Sequence, residues 1–493
     1  LSYVWGNTTP SSQIFVNENE FNVTMSLETA LRHIRDHNAA ITLWIDAICI
    51  NQQDNDERGK QVSLMGRIYS SAIRDLLWLG EDTGLDDNVA SVLERESSLE
   101  EAQISVDFLI NELFRLPEFG TRVIMQLQKV FDLPVWSRIW IVQEVVLAKE
   151  VQVLYGRRKF PWKTLLYVCL GITQNISTIW SKVDAGYEFV GQRALSPWYL
   201  LNSREEKMRG MKFPLSKIWD RFGFFGATNP RDRVFGILGF VQEDLGVHLD
   251  YTKRPQEIFC EVVRNYISTT GDLDVLLLDL LYVETEEHSS RGLPSWVPKF
   301  GTNEALVSKF GLWKVFSAGK GGAEKSSLRE PGVQQDPKSC KILSVEGTLL
   351  DTLGPLISSK SFRSWLVEDF IENFQKAQVL AGDEYCKGDE SFDTYWRTLS
   401  LDVVNRSQSR GVLMDVDLDT HRRIVKEVLL EPDNKEEDRQ KAAQQLLRYM
   451  SAFTGEKCFT ITQGGFSAMV PPSAKEGDVI LVLFGASAPL VAK

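Results

Sequence analysis

Apolar and polar positions change period several times over the first 156 residues, and the changes predict alternating strands and helices. Leu1-Ser2-Tyr3-Val4-Trp5 is apolar, closes on Gly6 and reads as a buried strand. Gln13–Val16 and Phe21–Thr24 flank Asn17-Glu18-Asn19-Glu20, the pattern of a hairpin. Ser26 stands where an N-cap would stand, before Leu27, Ala30, Leu31 and Ile34 at helical spacing. Ile41–Ile50 (ITLWIDAICI) is almost continuously apolar, as in a strand covered on both faces, and empties into the polar loop Asn51–Arg58. Val62, Met65, Tyr69 and Ala72 mark the next helical face, and Asp75–Leu79 and Val151–Tyr155 read as further strands. Alternating strands and helices of this kind predict an α/β domain over 1–156 with a parallel, doubly wound sheet and helices on both faces.

The pattern then loosens. Residues 81–130 are charged and helical, as in an insertion. Residues 157–317 read as a mostly helical domain, with a turn at Ala227–Gly236 leading into an apolar helix, a further helix over 255–281 and a rigid loop at Pro294–Pro298. Residues 318–337, rich in Gly, Ser, Lys and Gln, read as a flexible connector. Residues 338–493 predict a helical region (362–453) with a small C-terminal β module over 458–493, paired with Ile342–Leu350.

A chain of 493 residues exceeds one core, so two or three domains are expected. The net charge of -12 disfavours nucleic acid as a partner, because no phosphate-neutralising surface is implied. No run reaches the roughly 18 apolar residues of a membrane span, so no membrane association is expected. With no signal peptide and six scattered cysteines, the expectation is a cytoplasmic protein with reduced thiols and no metal site. The apolar run begins at Leu1 itself, so a preceding segment trimmed from this chain is expected. His33 and His37 have ligand spacing but no third ligand, and Cys49 reads as a buried, inert thiol. No Gly-x-Gly-x-x-Gly follows the first strand, and Ser317–Ser327 lacks the spacing of a phosphate loop.

Candidate chemistry gathers around Glu144. On one continuous helix, Ser137, Trp140 and Glu144 fall within about 60° of one another, beside Ile141, Val145 and Ala148. A carboxylate on an apolar face either has a partner, such as Arg138, or does chemistry. Asp46 lies within an apolar run and also needs a partner, and a structural ion pair with Arg58 or Arg138 is the plainer reading. Ligands of open α/β sheets bind beyond the carboxyl ends of the strands, which here carry Tyr3, Trp5 and Gly6, then Asn51, Gln52 and Asp54. Arg58 either contacts a pyrophosphate there or is an exposed residue of a helix start.

Three blocks together resemble the fungal heterokaryon-incompatibility (HET) domain. They are Leu1–Gly6; Trp44–Gln52 running through Glu57-Arg58, Gln61-Val62, Met65, Ile68-Tyr69 and Ala72 to Trp78-Leu79-Gly80; and Trp136-Ser137-Arg138 with Trp140 and Gln143-Glu144. The later Pro230–Gly239, Pro294–Pro298 and Gly477-Asp478 are similar to longer incompatibility proteins. HET domains in turn look like distant relatives of the Toll/interleukin-1 receptor (TIR) fold, which implies a flavodoxin-like parallel sheet. Some TIR proteins hydrolyse NAD with a Glu in a Ser-x-x-Trp-x-x-x-Glu-like pattern, which Ser137, Trp140 and Glu144 match. The resemblance therefore implies an NAD nucleosidase in which Glu144 steadies an oxocarbenium-like ribose, Trp140 walls the nicotinamide or ribose, and Ser137 orients the carboxylate. NAD would be the substrate, with no separate cofactor. It also implies a homo-oligomer that completes its site with the Asn51–Arg58 loop, and an incompatibility partner protein. The alternative is a non-catalytic self-recognition scaffold that acts by protein–protein assembly.

Overall fold

The computed structural model describes residues 1–95 except 8, then 125–174, 195–276, 343–357 and 457–493, with isolated positions between these ranges. The fold is mixed α/β, and the chain divides into two units, Leu1–Phe259 and Cys260–Lys493. The first begins with a hairpin of β1 (Ser12–Val16) and β2 (Asn19–Val23). Asn17 and Glu18 both take positive φ, 50° and 67°, which makes a two-residue turn whose twist suits paired strands. Pairing therefore resumes at Asn19 rather than Phe21. In α1 (Met25–Ile34) the N-cap is Thr24, whose hydroxyl accepts from the Leu27 N–H at 3.3 Å. Ser26 instead donates to the Val4 carbonyl at 2.5 Å and ties the helix to the N-terminal segment.

Two expected strands are absent or reduced. Leu1–Trp5 forms no full strand; Ser2 alone bridges Leu77 in parallel, through Ser2 N to the Leu76 carbonyl at 2.9 Å and Trp78 N to the Ser2 carbonyl at 2.8 Å. Ile41–Ile50 forms no strand, and its second half is α2 (Asp46–Cys49), a single turn. Asp46 is the physical reason. Its side chain accepts from the Ala47 N–H at 2.8 Å, and the Cys49 N–H turns back to the Ile45 carbonyl, so local bonds take the place of a ladder. Nor is the run covered on both faces: Ile41 is 48% exposed, and Cys49 is an exposed thiol rather than a buried one.

The sheet of this unit consists of β3 (Asp75–Trp78), β4 (Val151–Tyr155) and β5 (Arg158–Pro161), in that order. β3 and β4 are parallel, whereas β5 returns antiparallel from Gly156. Sequence reading missed β5, which is short and charged. Arg158 anchors it by bonding Asp82 and Asp87 at 2.8 Å, the latter at the start of α4 (Asp87–Leu93). The rest of the predicted insertion lies largely outside the described residues.

Helices cover this sheet. α3 (Asn55–Ser71) is capped by Asp54, which accepts from Asp56 N and Glu57 N at 2.9 and 3.0 Å. A 3-10 turn at Pro134–Ser137 precedes α5 (Ile141–Leu147), which is buried from Ile141 to Val146. α6 (Trp162–Gln174), α7 (Leu195–Met208), α8 (Leu215–Phe222) and α9 (Asp232–Leu238) follow. α3, α7 and α9 pack on α5. Arg204 of α7 reaches the end of α5 and donates to the carbonyls of Val145 at 3.0 Å, Lys149 at 2.7 Å, and Ala148, satisfying acceptors that a helix end leaves open.

The division between the units falls within α10 (Pro255–Thr270), which ends eleven residues before the predicted 281. In the second unit β6 (Gly347–Leu356), β7 (Cys458–Thr462), β8 (Ser467–Val470), β9 (Val479–Leu483) and β10 (Leu490–Ala492) form an antiparallel sheet in the order β10-β9-β6-β7-β8. Leu353, Cys458, Val470, Ala474 and Ile480 make its core. The predicted connector at 318–337 lies outside the described residues, as does nearly all of 362–453.

α3 approaches backbone closely at Gly59, where an added Cβ would stand 2.7 Å from the Leu249 carbonyl oxygen. Alanine in a helix interior ordinarily gains about 1 kcal/mol over glycine. Here the backbone clash outweighs that gain, and Gly59→Ala is expected to destabilise the fold by about 1–3 kcal/mol. A melting temperature at or above that of the unsubstituted protein would contradict this packing of α3.

Candidate functional site

A cavity of about 860 Å³ opens in the first unit, between the N-terminal segment, α2, the start of α3, the turn before α5 and the segment 226–232. Eight of the residues singled out from sequence line it: Trp5, Gly6, Asp46, Gln52, Arg58, Ser137, Arg138 and Trp140. Tyr3, Asn51 and Glu144 do not. Gly6 sits there with φ of 67°, a conformation that suits glycine, although an added Cβ would meet nothing closer than Ser26 at 3.9 Å.

The wall is held by hydrogen bonds, several of them between distant parts of the chain. The Trp5 indole donates to Asp46 Oδ2 at 3.2 Å, and the Gln52 amide donates to the Asp46 carbonyl at 3.1 Å. Gly226 exchanges backbone bonds with the turn before α5, through Gly226 N to the Ser137 carbonyl at 2.6 Å and Ile139 N to the Gly226 carbonyl at 3.0 Å. The Trp140 indole donates to Asp232 Oδ2 at 3.2 Å, and the Tyr251 hydroxyl donates to Asp232 Oδ1 at 2.9 Å. The Arg58 guanidinium lies 3.7 Å from the centre of the Tyr251 ring. Asn229, Arg231, Asp232 and Tyr251 escaped sequence reading as site residues. The available signal was an Asp and two Arg around Pro230 at the mouth of an apolar helix, charges that a plain turn does not need.

Three guanidiniums, Arg58, Arg138 and Arg231, line the cavity, and among the described residues none makes an ion pair. Arg138 Nη1 donates to the Tyr3 carbonyl, so the expected Asp46–Arg138 ion pair is not formed, although the two charges act on each other through space. Burial pushes the carboxyls of Asp46 and Asp232 up from their ordinary values, with Arg138 drawing Asp46 partly back and the Tyr251 and Trp140 hydrogen bonds doing the same for Asp232. The cavity thus holds three guanidiniums and two carboxylates, with Arg138 acting through space on Asp46 and Arg58 and Arg231 on Asp232, beside the rings of Trp5, Trp140 and Tyr251.

Glu144 stands apart from the wall. It is 3% exposed, and its Oε2 has no partner. Burial pushes its carboxyl up to about 7; Arg138 pulls it down, and Asp75 and Asp46 push it further up. Ser2, which donates to both Asp75 oxygens at 2.9–3.0 Å, also favours the ionised form of Glu144. Ser137 and Glu144 do not share a helix: Ser137 closes the 3-10 turn, and the chain is extended at Arg138 before α5 begins. The Ser137 hydroxyl donates to the Pro134 carbonyl at 3.2 Å. Trp140, at the start of α5, is on the wall, and Glu144 one turn later is in the core. Asn51 is exposed, its N–H bonded to Glu57 at 3.0 Å. The Tyr3 hydroxyl is buried without a partner, and burial raises its pKa strongly.

Residues 1–144 match the family model described as Heterokaryon incompatibility protein (HET). The chain is 29% identical over 369 residues to "Heterokaryon incompatibility protein 6, OR allele" of Neurospora crassa, a match that takes in 61% of this chain and 52% of the relative. The chain thus spans about half the length of the curated relative it matches. No solved structure matches. Among the described residues no helix is long and apolar enough to cross a membrane, and no group of three His, Cys, Asp or Glu is placed to hold a metal ion. The family match includes the Trp5, Asp46, Arg58 and Trp140 side of the cavity and ends on Glu144, while 226–232 and Tyr251 lie beyond it.

The raised carboxyl of Glu144 has a consequence for stability. Its folded pKa of about 7 exceeds the ordinary 4.5, so the native state resists ionisation, and stability falls as pH rises from about 4.5 through 7. Glu144→Gln removes that dependence. The variant is expected to match the unsubstituted protein near pH 4.5 and to exceed it near pH 8 by up to about 3 kcal/mol in denaturant unfolding. Equal stabilities at both pH values would show that the ionised carboxylate is fully compensated in the core.

Proposed function

We propose that this chain is a heterokaryon-incompatibility, cell-death type protein whose N-terminal unit takes a dinucleotide of the NAD class into the cavity and cleaves it at the nicotinamide–ribose bond. The observation that carries the reading is the set of three guanidiniums without ion-pair partners beside indole and phenol rings. Guanidiniums suit a pyrophosphate, and flat aromatic faces suit a base or nicotinamide. Parallel pairing of Ser2, β3 and β4 beneath helices supports a TIR-like ancestry for this unit. The same reading makes the protein a cytoplasmic homo-oligomer that answers to an incompatibility partner.

In this reading water attacks the anomeric carbon as the C–N bond to nicotinamide breaks. ADP-ribose, nicotinamide and a proton leave. The pyridinium ring accepts the bonding electrons, so the demand on the protein is a negative charge at the oxocarbenium-like ribose. Glu144 is the assigned carboxylate. It does not line the cavity, but its neighbours Arg138 and Asp46 do. A pyrophosphate that draws the Arg138 guanidinium away from Tyr3 would open the way to Glu144. A second reading, a non-catalytic assembly scaffold, is favoured by one observation: Glu144 is enclosed in a helix buried from Ile141 to Val146.

Nicotinamide release from NAD separates the two readings. The unsubstituted protein is expected to release it, Glu144→Ala to lose at least about a thousandfold in rate, and the rate to rise with pH through about 7 as the carboxyl ionises. Full turnover by Glu144→Ala would remove Glu144 from the mechanism. A protein that binds NAD without releasing nicotinamide would leave the scaffold reading in place.

A further inference from the structure

The cavity has a second wall that the family match does not cover, and two of its side chains, Asp232 and Tyr251, join Trp140 and Arg58 of the first wall in one connected set. Asp232 accepts from the Trp140 indole on one oxygen and from the Tyr251 hydroxyl on the other. Tyr251 in turn carries the Arg58 guanidinium on its ring face. We propose that this set is the phosphate grip of the cavity: Arg58, stacked on Tyr251, binds a phosphate of a nucleoside diphosphate, and Asp232 is the positioning residue that holds the stack in place. The proposal deepens the NAD-class reading and rests on it for the choice of ligand.

Three features support this assignment. The Arg58 guanidinium carbon stands 3.7 Å over the Tyr251 ring centre, a contact that holds the cation at the wall through its face and leaves its N–H groups to meet phosphate oxygens. Arg58 uses few of those donors: Nη2 donates to Asn55 at 2.9 Å, and the buried Nε has no partner. A buried unpaired donor is costly, and a bound oxyanion would relieve the cost. Finally, Arg58 comes from α3 and Arg231 from the 226–232 segment, so two cations reach the same cavity from separate parts of the chain. Arg231 is fixed by Nε to the Lys253 carbonyl at 2.6 Å and Nη1 to Asn229 at 3.3 Å, which holds its charge at the wall. Asp232 has both oxygens occupied by Trp140 and Tyr251, so its part is to orient them rather than to touch the ligand.

The test is equilibrium binding of ADP-ribose and of adenosine to the full chain, with each variant's melting temperature measured alongside. The unsubstituted protein is expected to bind ADP-ribose at least about tenfold more tightly than adenosine. Arg58→Gln is expected to erase that difference while leaving adenosine affinity unchanged. Tyr251→Phe and Asp232→Asn are expected to shrink the ratio of the two affinities several-fold, whereas a merely structural role would weaken both ligands together. Should Arg58→Gln fail to fold, Arg58→Lys decides: it keeps the charge but not the planar fork, and a reduced ratio is again expected. Undiminished ADP-ribose binding in a folded Arg58 variant, equal affinity for the two ligands in the unsubstituted protein, or no ADP-ribose binding at millimolar concentration would each overturn the proposal. Because the readout is binding, ADP-ribose recognition without nicotinamide release would uphold the phosphate grip while removing the hydrolase reading.

Discussion

Charge kept out of water governs the architecture of the N-terminal unit. α5 is apolar almost all round, and it carries Glu144 into a core that already holds Ser2, Asp75 and the buried phenol of Tyr69. An ionised carboxylate is expensive there, and that expense is the main cause of its raised pKa. The surrounding residues compensate in part: Ser2 supplies a hydroxyl, Arg138 a nearby positive charge, and Arg204 ties off the end of the helix. One oxygen of Glu144 is still left without a partner. A core that tolerates such a group is under a constraint beyond packing, because an apolar side chain of similar size would cost less.

The same constraint links core to cavity. Arg138 faces both, acting on Glu144 and Asp46 while bonding to the Tyr3 carbonyl. Asp46 serves the wall, since it takes the Trp5 indole, and it also breaks the apolar run into a helical turn. Facing this side, the Gly226–Asp232 segment is stitched to the turn before α5 by the paired Gly226 bonds and by Trp140 to Asp232. The cavity is therefore a joint product of residues 1–144 and of a segment some 80 positions later.

Much of this side of the cavity was legible in the sequence, because each residue there broke a local rule. Asp46 within an apolar run, a Gly closing an apolar segment and Trp140 beside an acidic residue are each unexpected on pattern alone, and all line the cavity. Periodicity also located β3, β4, α1 and α3, where apolar spacing and capping residues agree. It failed at Ile41–Ile50 because a strand and a turn of partly buried helix present the same apolar run, and only the side-chain bonds of Asp46 decide between them. It failed at Ser137 because the helical wheel assumed a continuity that the extended backbone at Arg138 interrupts. The pairing of Asp232 with Trp140 was out of reach for a different reason: the charges around Pro230 hint that Asp232 matters, but its partner lies 92 residues away, which no local pattern encodes.

The most direct test of the account is whether the cavity takes an intact dinucleotide at all. A non-cleavable NAD analogue titrated against the purified protein is expected to raise the melting temperature in a saturable way, because a ligand that binds only the native state stabilises it in proportion to RT ln(1 + [L]/Kd). A melting temperature that stays flat up to millimolar analogue would contradict the account and leave the guanidiniums of Arg58, Arg138 and Arg231 without the anion they are assigned to hold.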